Sequence, residues 1–278
     1  MIKLMYITNN PEIAKMAENA GVDRIFVDLE YIGKDIRQGG MDTVQSHHKI
    51  EDIENIRKVI TNVELLVRCN PIHEAGTEYG SSKVEIDAIV KAGADVIMLP
   101  YFKTVDEVKY FLDCVDGRVK TSLLVETPEA VEVIDEILTL EGVDEIHIGL
   151  NDLSLGYGKK FMFELLTDGT VEKLCQKIKQ RSIPFGFGGI AGLGKGMLPA
   201  EYIIKEHYRL GSTCAILSRS FCNTNNIEQS DTIRTTFEEG VKEIRKFEKE
   251  CEDMKQDFDE NCRIIAECVK LICSDVEQ

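Results

Sequence analysis

Short apolar segments alternate with longer amphipathic segments along most of the chain. Eight of the apolar segments have the length of a β-strand and are rich in Val, Ile, Leu and Phe: 3–8, 24–28, 63–68, 95–99, 121–126, 145–148, 184–187 and 214–217. Most of them show no alternation of polar and apolar residues, as expected for parallel strands that are covered on both faces. We therefore predict eight parallel strands.

The segments between these strands carry apolar residues at helical spacing, most clearly at 11–20, 84–92, 105–115 and 129–140. Three helix-to-strand joints repeat a Gly-X-Asp sequence: Gly21-Val22-Asp23, Gly93-Ala94-Asp95 and Gly142-Val143-Asp144. A glycine in the left-handed conformation is a common way to end a helix. Strand–helix–strand units in series build a right-handed parallel sheet. Eight such units favour a closed (β/α)8 TIM barrel, of class α/β, over an open sheet.

From about residue 232 to residue 273, apolar residues recur every three or four positions. We predict a (β/α)8 barrel at 1–230 and C-terminal helices at 231–278, made of the last barrel helix and an extension. The pattern is compatible with an extension that covers its own barrel and with one that packs on, or is swapped into, a neighbouring subunit of a homo-oligomer. The polar stretch 31–48 is predicted to be a long loop after the second strand.

The length of 278 residues suits one barrel, which typically needs about 250. The formal net charge of −16 argues against nucleic acid or an anionic membrane as a partner. A small anionic substrate stays possible, because a metal or a local arginine reverses the field inside a cleft. No apolar run reaches the length of about 20 residues that a membrane span requires. Without a signal-peptide pattern or a CxxC pair among nine cysteines, we expect a cytoplasmic protein with reduced thiols.

Polar residues follow the predicted strands at the end where barrel enzymes carry their active residues. The segments are Asp28-Leu29-Glu30, Arg68-Cys69-Asn70, Pro100-Tyr101, Glu126-Thr127-Pro128, Asn151-Asp152, Gly188-Gly189 and Ser218-Arg219-Ser220. Carboxylates in an apolar barrel are costly unless they are paired. Mg²⁺ or Mn²⁺ prefers carboxylate oxygens and keeps positions for water or substrate, and Arg68 can bind an anionic substrate oxygen in the same pocket. We expect at most one of Asp28 and Glu30 to point straight into the cleft.

Five segments resemble the HpcH/HpaI aldolase and citrate lyase family of pyruvate- and phosphoenolpyruvate-using barrels. They are GVDRIFVDLE at 21–30, LVR at 66–68, GADVIMLP at 93–100, ETPEA at 126–130 and IGLNDLS at 148–154. The resemblance runs from about residue 4 to residue 222. It implies a carbon–carbon lyase of aldolase type that acts on a small 2-oxo acid such as pyruvate. It also implies that Glu126 and Asp152 bind Mg²⁺ or Mn²⁺, and that Arg68 faces the carbonyl oxygen that becomes an enolate.

The chemistry of such a site is reasonable in its own right. A 2-oxo acid offers a carboxylate and a keto oxygen to a metal, and the metal and a guanidinium stabilise the enolate formed when the adjacent carbon–carbon bond breaks or forms. Asn151, Gly188 and Gly189 are further candidates for substrate contacts, together with Arg68. The glycine-rich segment 189–196 has the letters GxxxxGK but lacks the following Ser or Thr, so we do not predict a nucleotide site.

One residue departs from the aldolase pattern. Aldolases of this family usually have a histidine directly after the acidic pair of strand 2, where this chain has Tyr31. A tyrosine with a pKa near 10 is a poor base at neutral pH. His47 and His48 lie in the following loop and are candidates for the proton transfer, the alternative being a solvated pair. His147, within strand 6, is interpreted as a hydrogen-bonded core residue.

Two other functions stay open. The citrate-lyase branch tends to have an Asp after Asp-Leu-Glu and acts on CoA thioesters; this chain shares Asp28-Leu29-Glu30 but not the last Asp, so a citryl- or malyl-type lyase is one alternative. A barrel that keeps its metal site but has lost turnover, with a binding or assembly role, is the other.

Overall fold

The chain forms a closed barrel of eight parallel strands, as shown by a computed structural model that describes residues 1–33, 48–77, 79–222, 224, 230–253 and 258–275. The strands are β1 (Lys3–Ile7), β2 (Arg24–Asp28), β3 (Glu64–Arg68), β4 (Val96–Leu99), β5 (Lys120–Val125), β6 (Glu145–Ile148), β7 (Phe185–Ile190) and β8 (Cys214–Leu217). Neighbours in sequence are neighbours in the sheet, and β8 pairs with β1. The predicted (β/α)8 TIM barrel is confirmed.

Helices connect and cover the strands. They are α1 (Pro11–Asn19), α2 (Ile50–Val59), α3 (Ser82–Ala92), α4 (Val105–Val115), α5 (Pro128–Glu132), α6 (Ile134–Ile137), α7 (Leu150–Gly156), α8 (Glu164–Thr167), α9 (Thr170–Gln180), α10 (Ala200–Leu210), α11 (Ser230–Asp253) and α12 (Phe258–Asp275). The single helix predicted at 129–140 is wrong. Val133, with ψ at 8°, separates α5 from α6, and apolar spacing alone did not reveal this break.

The predicted end of strand 7 is also wrong. β7 continues to Ile190, so Gly188 and Gly189 lie inside the strand and not in a loop after it. The pairing of β7 with β8 shifts register between Gly186 and Gly189, and Gly188 has a φ of 52°. This irregularity needs glycine, because residues with a Cβ rarely adopt positive φ. A prediction based on apolar runs ends the strand at Phe187, before the two consecutive glycines.

The interior of the barrel is charged at both ends and apolar between them. Alternate residues of a strand face the same side, so β2 contributes an inward column of Arg24, Phe26 and Asp28. The register places these residues beside the matching column of β3, which is Glu64, Leu66 and Arg68. The apolar layer between the charged ends includes Met5, Val96, Met98, Leu124 and Cys214. A separate and larger core lies between the strands and the helices.

Arg24 forms the charged layer at the amino-terminal end of the barrel. Its side chain is 1% exposed and contacts Glu145 Oε1 at 2.6 Å and Glu64 Oε2 at 2.5 Å. Burial alone would lower the pKa of Arg24, but the two carboxylates raise it. A buried charge is tolerated when it is paired in this way. Because catalytic groups of TIM barrels lie at the opposite end, we assign this cluster to stability.

The repeated Gly-X-Asp joints fasten neighbouring strands in pairs. Their glycines all have positive φ: 94° at Gly21, 102° at Gly93 and 91° at Gly142. The aspartate of each joint accepts a hydrogen bond from the backbone N–H of the second residue of the preceding strand: Asp23 from Leu4 at 2.7 Å, Asp95 from Leu65 at 2.7 Å and Asp144 from Thr121 at 2.8 Å. The aspartates therefore link β1 to β2, β3 to β4 and β5 to β6. Gly21 and Gly93 also stand at the ends of α1 and α3, whereas Gly142 lies in a turn beyond the end of α6, so the helix cap predicted at this third joint is wrong.

The two C-terminal helices pack on their own chain. Helix α11 lies against α1 and α10, which completes the outer ring of helices. Helix α12 lies against α10 and α8, where Asn261 Nδ2 donates to Glu206 Oε1 at 3.0 Å. The extension thus covers its own barrel in this structure, and the homo-oligomer stays a prediction. In the described ranges, every helix is too short or too polar to cross a membrane.

Replacing Asp144 tests the fastening of strand pairs. In Asp144→Ala, the Thr121 N–H loses its charged acceptor, and we expect the free energy of unfolding to fall by about 1 kcal/mol. Asp144→Asn keeps an oxygen at the same place and is expected to lose less. Urea denaturation measures both free energies, and the dependence of the unfolding free energy on urea concentration should stay unchanged. Equal stability of the alanine variant and the natural chain would contradict the assignment.

Candidate active site

Arg68 joins two carboxylates at the carboxyl end of the barrel. Its Nε and Nη2 donate to the two oxygens of Asp28, both at 2.8 Å, and its Nη1 lies 3.3 Å from Glu30 Oε2. The Asp28 and Glu30 side chains are 2% and 0% exposed. Both carboxylates therefore point towards Arg68, and the expectation that at most one of them points into the cleft was wrong. Residues two apart in an extended strand share a face.

Several negative charges act on this one guanidinium. Burial would lower the pKa of Arg68, but Asp28 and Glu30, and more weakly Glu126, raise it well above its usual value. The ring of Phe26 lies beneath the guanidinium, with 5.6 Å from Cζ to the ring centroid. Arg68 thus stays charged and is held between a bidentate carboxylate and an aromatic face.

The two predicted metal ligands lie at the ends of adjacent strands. Glu126 directly follows β5 and is 3% exposed, and Asp152 is in the first turn of α7, directly after β6, and is 8% exposed. Glu126 Oε1 accepts the N–H of Tyr101 at 3.0 Å. Gly149, which caps α7, lies so close to Glu126 that a Cβ there would be 2.9 Å from Oε2. A glycine at 149 therefore leaves the space that the Glu126 carboxylate occupies.

The donor chemistry of this pair suits a hard divalent cation. Mg²⁺ is usually held in proteins by one or two carboxylates and takes its other ligands from water or substrate. In the part of the chain that the structure describes, no set of three or more His, Cys, Asp or Glu side chains is arranged to hold a metal ion. A cation held by Glu126 and Asp152 would take its further oxygen ligands from water or substrate, as is usual for Mg²⁺.

Tyr101 lies at this site, although no role was predicted for it. It follows β4 with a φ of 49°, a conformation that non-glycine residues seldom adopt. This conformation accompanies the hydrogen bond from its N–H to Glu126. Lys103 Nζ lies 5.5 Å from the centroid of the Tyr101 ring. Such conformations concentrate at functional sites, but the residue type gives no sequence signal for them.

Of the two histidines predicted for proton transfer, the structure brings His48 to the site. Its Nδ1 accepts the backbone N–H of Asp28 at 3.0 Å, and its side chain is half-buried. His47 lies outside the described residues. An imidazole that accepts at Nδ1 carries its proton on Nε2 when it is neutral. His48 is therefore attached to the strand that carries the Arg68 partner.

The remaining predicted residues lie around the same end. Asn151 is exposed on α7, one residue before Asp152. The carbonyl oxygen of Gly188 lies 3.1 Å from His147 Nε2, and Gly189 pairs with Ile216 in the barrel wall. Burial lowers the pKa of His147 to about 4, so this ring is neutral at pH 7. His147 is a hydrogen-bonded core residue, as predicted.

Comparisons with known proteins place the sequence and the fold among those of a known family. The sequence profile of the HpcH/HpaI aldolase/citrate lyase family matches residues 3–165, more than half of the chain. The match ends before β7, so β7 and β8 lie outside the matched sequence and are related to the family through the fold. Comparison with curated protein sequences gives no match.

Three solved structures illustrate the shared fold. The HpcH/HpaI aldolase from Desulfitobacterium hafniense DCB-2 is 17% identical, with a TM-score of 0.59 over 88% of this chain and 93% of that one. An HpcH/HpaI aldolase/citrate lyase family protein from Burkholderia cenocepacia J2315 is 15% identical, with a TM-score of 0.60 over 88% and 95%. The citrate synthase SbnG is 16% identical, with a TM-score of 0.60 over 86% and 94%. At these identities the likeness shows the fold alone.

Removing the Arg68 charge should destabilise the barrel strongly. Arg68→Met leaves Asp28 and Glu30 buried without their cation, and breaking a buried ion pair on one side typically costs about 3–5 kcal/mol. The double variant Arg68→Met with Asp28→Asn removes one of the stranded charges and should recover part of the loss. Chemical denaturation measures both; a single variant as stable as the natural chain would show that the cluster contributes little.

Proposed function

The chain belongs to the HpcH/HpaI aldolase/citrate lyase family, and we propose that it is a divalent-metal-dependent carbon–carbon lyase of aldolase type. Its substrate class is a small 2-oxo acid, pyruvate or a derivative of it, which reacts through an enolate. The observation that carries the proposal is the set of groups at the carboxyl end of one barrel. These are the guanidinium of Arg68 and the two buried carboxylates of Glu126 and Asp152.

We assign Glu126 and Asp152 as the residues that hold Mg²⁺ or Mn²⁺. Their burial and their places on adjoining strands support this assignment. When bound, the cation stabilises negative charge on the substrate oxygens. Tyr101 contributes by donating its N–H to Glu126 Oε1, which fixes one oxygen of that carboxylate. Gly149 contributes by leaving space beside the other oxygen.

Arg68 binds and stabilises the oxygen on which charge develops. A guanidinium has five N–H groups, and the contacts to Asp28 and Glu30 engage Nε, Nη2 and Nη1 once each. Further N–H groups on both Nη atoms are therefore suited to donate to a substrate oxygen. Since Asp28 already fixes the plane of the guanidinium, little reorganisation is needed when the enolate forms.

We propose His48 as the proton-transfer residue. Its support is its bond to Asp28, which ties it to the same strand end as the Arg68 cluster. Because Nδ1 accepts the Asp28 N–H, uptake of a proton at Nδ1 requires this bond to open during the reaction. Asn151, beside Asp152 and exposed, is proposed as a substrate contact, and Gly188 and Gly189 as backbone lining at the end of β7.

Deuterium exchange tests the proposed reaction. In D2O with Mn²⁺ or Mg²⁺, the protein should exchange the methyl protons of pyruvate, because enolate formation makes them labile; proton NMR follows the loss of signal. Chelation of the metal should stop the exchange. Arg68→Lys loses the bidentate geometry and should slow it about 10²–10³-fold. A protein that binds Mn²⁺ but never exchanges pyruvate would favour a barrel with a binding role.

The same assay tests His48. Glutamine at this position can still accept the Asp28 N–H but cannot titrate, so His48→Gln should slow exchange by about 10²-fold or more if the imidazole moves protons. Exchange at nearly the natural rate would show that His48 only holds Asp28 in place.

Metal titration tests the ligands separately from turnover. Glu126→Gln and Asp152→Asn should each weaken Mn²⁺ binding by about tenfold or more, since each removes a charged ligand. Glu129→Gln is the control: Glu129 lies three residues away, is half exposed and pairs with Lys103, so its loss should leave affinity unchanged. Electron paramagnetic resonance of free Mn²⁺ gives the affinity, and circular dichroism checks the fold. Unchanged affinity in either ligand variant refutes that ligand.

A further inference from the structure

The chain leaves β2 through a turn whose backbone is bonded at five successive residues. Residues 28–32 each donate their N–H: Asp28 to His48 Nδ1, Leu29 to the carbonyl of Arg68, Glu30 to Asp28 Oδ1, and Tyr31 and Ile32 to Asn70 Oδ1. Three of these five bonds end on residues 68 and 70. The turn that carries both Arg68 partners is therefore fixed largely by the end of β3.

Asn70 holds the far end of this turn. Its side-chain oxygen accepts the N–H groups of Tyr31 and Ile32, both at 2.9 Å, and the residue is 3% exposed. Asn70 lies two residues after Arg68, just beyond the end of β3. Arg68 binds the side chains of the turn and Asn70 binds its backbone.

Glu85, on α3, sets the direction of the Asn70 amide. Asn70 Nδ2 donates to Glu85 Oε1 at 2.7 Å, and the Asn70 backbone N–H lies 3.3 Å and 3.2 Å from the two carboxylate oxygens. With Nδ2 facing a carboxylate, the amide oxygen must face the N–H groups of the turn. A flipped amide would put oxygen against oxygen and N–H against N–H.

We propose that Asn70 and Glu85 are positioning residues of the active site, which hold the turn 28–32 and, through Asp28 and Glu30, the guanidinium of Arg68. The inference deepens the proposed function and rests on it. Neither residue needs to touch substrate. Their effect is on where Arg68 lies when the enolate forms, and a shift of about 1 Å in a positioned group can cost about 10²-fold in rate.

Steady-state kinetics of pyruvate deuterium exchange with the Mn²⁺-loaded protein test this. Asn70→Ala should lower kcat/KM about 10- to 100-fold, with most of the change in kcat. The Mn²⁺ affinity should stay within about twofold, since Glu126 follows β5 and Asp152 lies in α7, away from the end of β3. Asn261→Ala is the matched control: Asn261 is also buried and also donates to a glutamate, Glu206, but on α12. It should lower the melting temperature and leave kcat unchanged.

A swap of the two partners gives a rescue. Asn70→Asp puts two carboxylates together and should lose most of the exchange activity. Adding Glu85→Gln restores a complementary pair, with the glutamine amide as donor and the new carboxylate accepting both the amide and the turn N–H groups. The kcat of the double variant should be at least about tenfold higher than that of Asn70→Asp, as expected for directly coupled residues.

Amide hydrogen exchange measures the stability of the turn 28–32 independently of catalytic activity. The Tyr31 and Ile32 amides should exchange faster in Asn70→Ala than in the natural chain and in Asn261→Ala. Natural kcat in Asn70→Ala, with a melting temperature lowered as in Asn261→Ala, would make Asn70 a merely structural residue and overturn the inference. Absence of exchange activity in the natural chain with Mn²⁺ bound would overturn the proposed function and the catalytic part of the inference. Unaltered exchange of the Tyr31 and Ile32 amides in Asn70→Ala would show that Asn70 does not hold the turn.

Discussion

The geometry at the carboxyl end of the barrel depends on the buried ion pair between Arg68 and Asp28. Both groups are inward-facing residues of adjacent strands, and the register places them side by side. Glu30 and the π-face of Phe26 complete the surroundings of the guanidinium. Because a buried charge is tolerated only when it is paired, the positions of the strand ends, the turn after β2 and the chemistry of Arg68 are set together.

A second buried arginine occupies the other end of the same strand pair. Arg24 pairs with Glu64 and Glu145 beneath the apolar layer, as Arg68 pairs with Asp28 and Glu30 above it. The difference lies in what surrounds them. Around Arg24 the structure shows protein partners from β3 and β6 that stabilise the barrel, whereas Arg68 lies at the end of the barrel that also carries the buried Glu126 and Asp152. One fold thus uses one type of charge cluster for stability and another for proposed chemistry.

The sequence predicted the parts of this fold that depend on local composition. Apolar runs located the eight strands because parallel strands are buried on both faces, and two of the three Gly-X-Asp joints, those at Gly21 and Gly93, marked helix ends. Arg68 and Glu126 were candidates because they stand at the ends of predicted strands, while the role of Glu126 and Asp152 as metal ligands came from the family resemblance and stays a prediction. The positive φ of Tyr101, the shift within β7 and the break at Val133 were not found, since they depend on how neighbouring elements meet. The Asn70–Glu85 pair was missed because its partners are 15 residues apart in sequence and belong to different elements.

The aspartate fastenings between strands have a consequence for how the barrel can be opened. Each ties a strand to the one before it, so the first six strands form three stitched couples, while the ion pairs Arg24–Glu64 and Arg68–Asp28 connect β2 to β3 across two couples. A circular permutation can place the new termini between two couples, for example between β2 and β3. The two strands of every couple then remain next to each other in the permuted sequence. New termini inside a couple, as between β1 and β2, would put its two bonded strands at opposite ends of the permuted chain. Permutants of the first kind are the better starting points for building this barrel from separately made fragments.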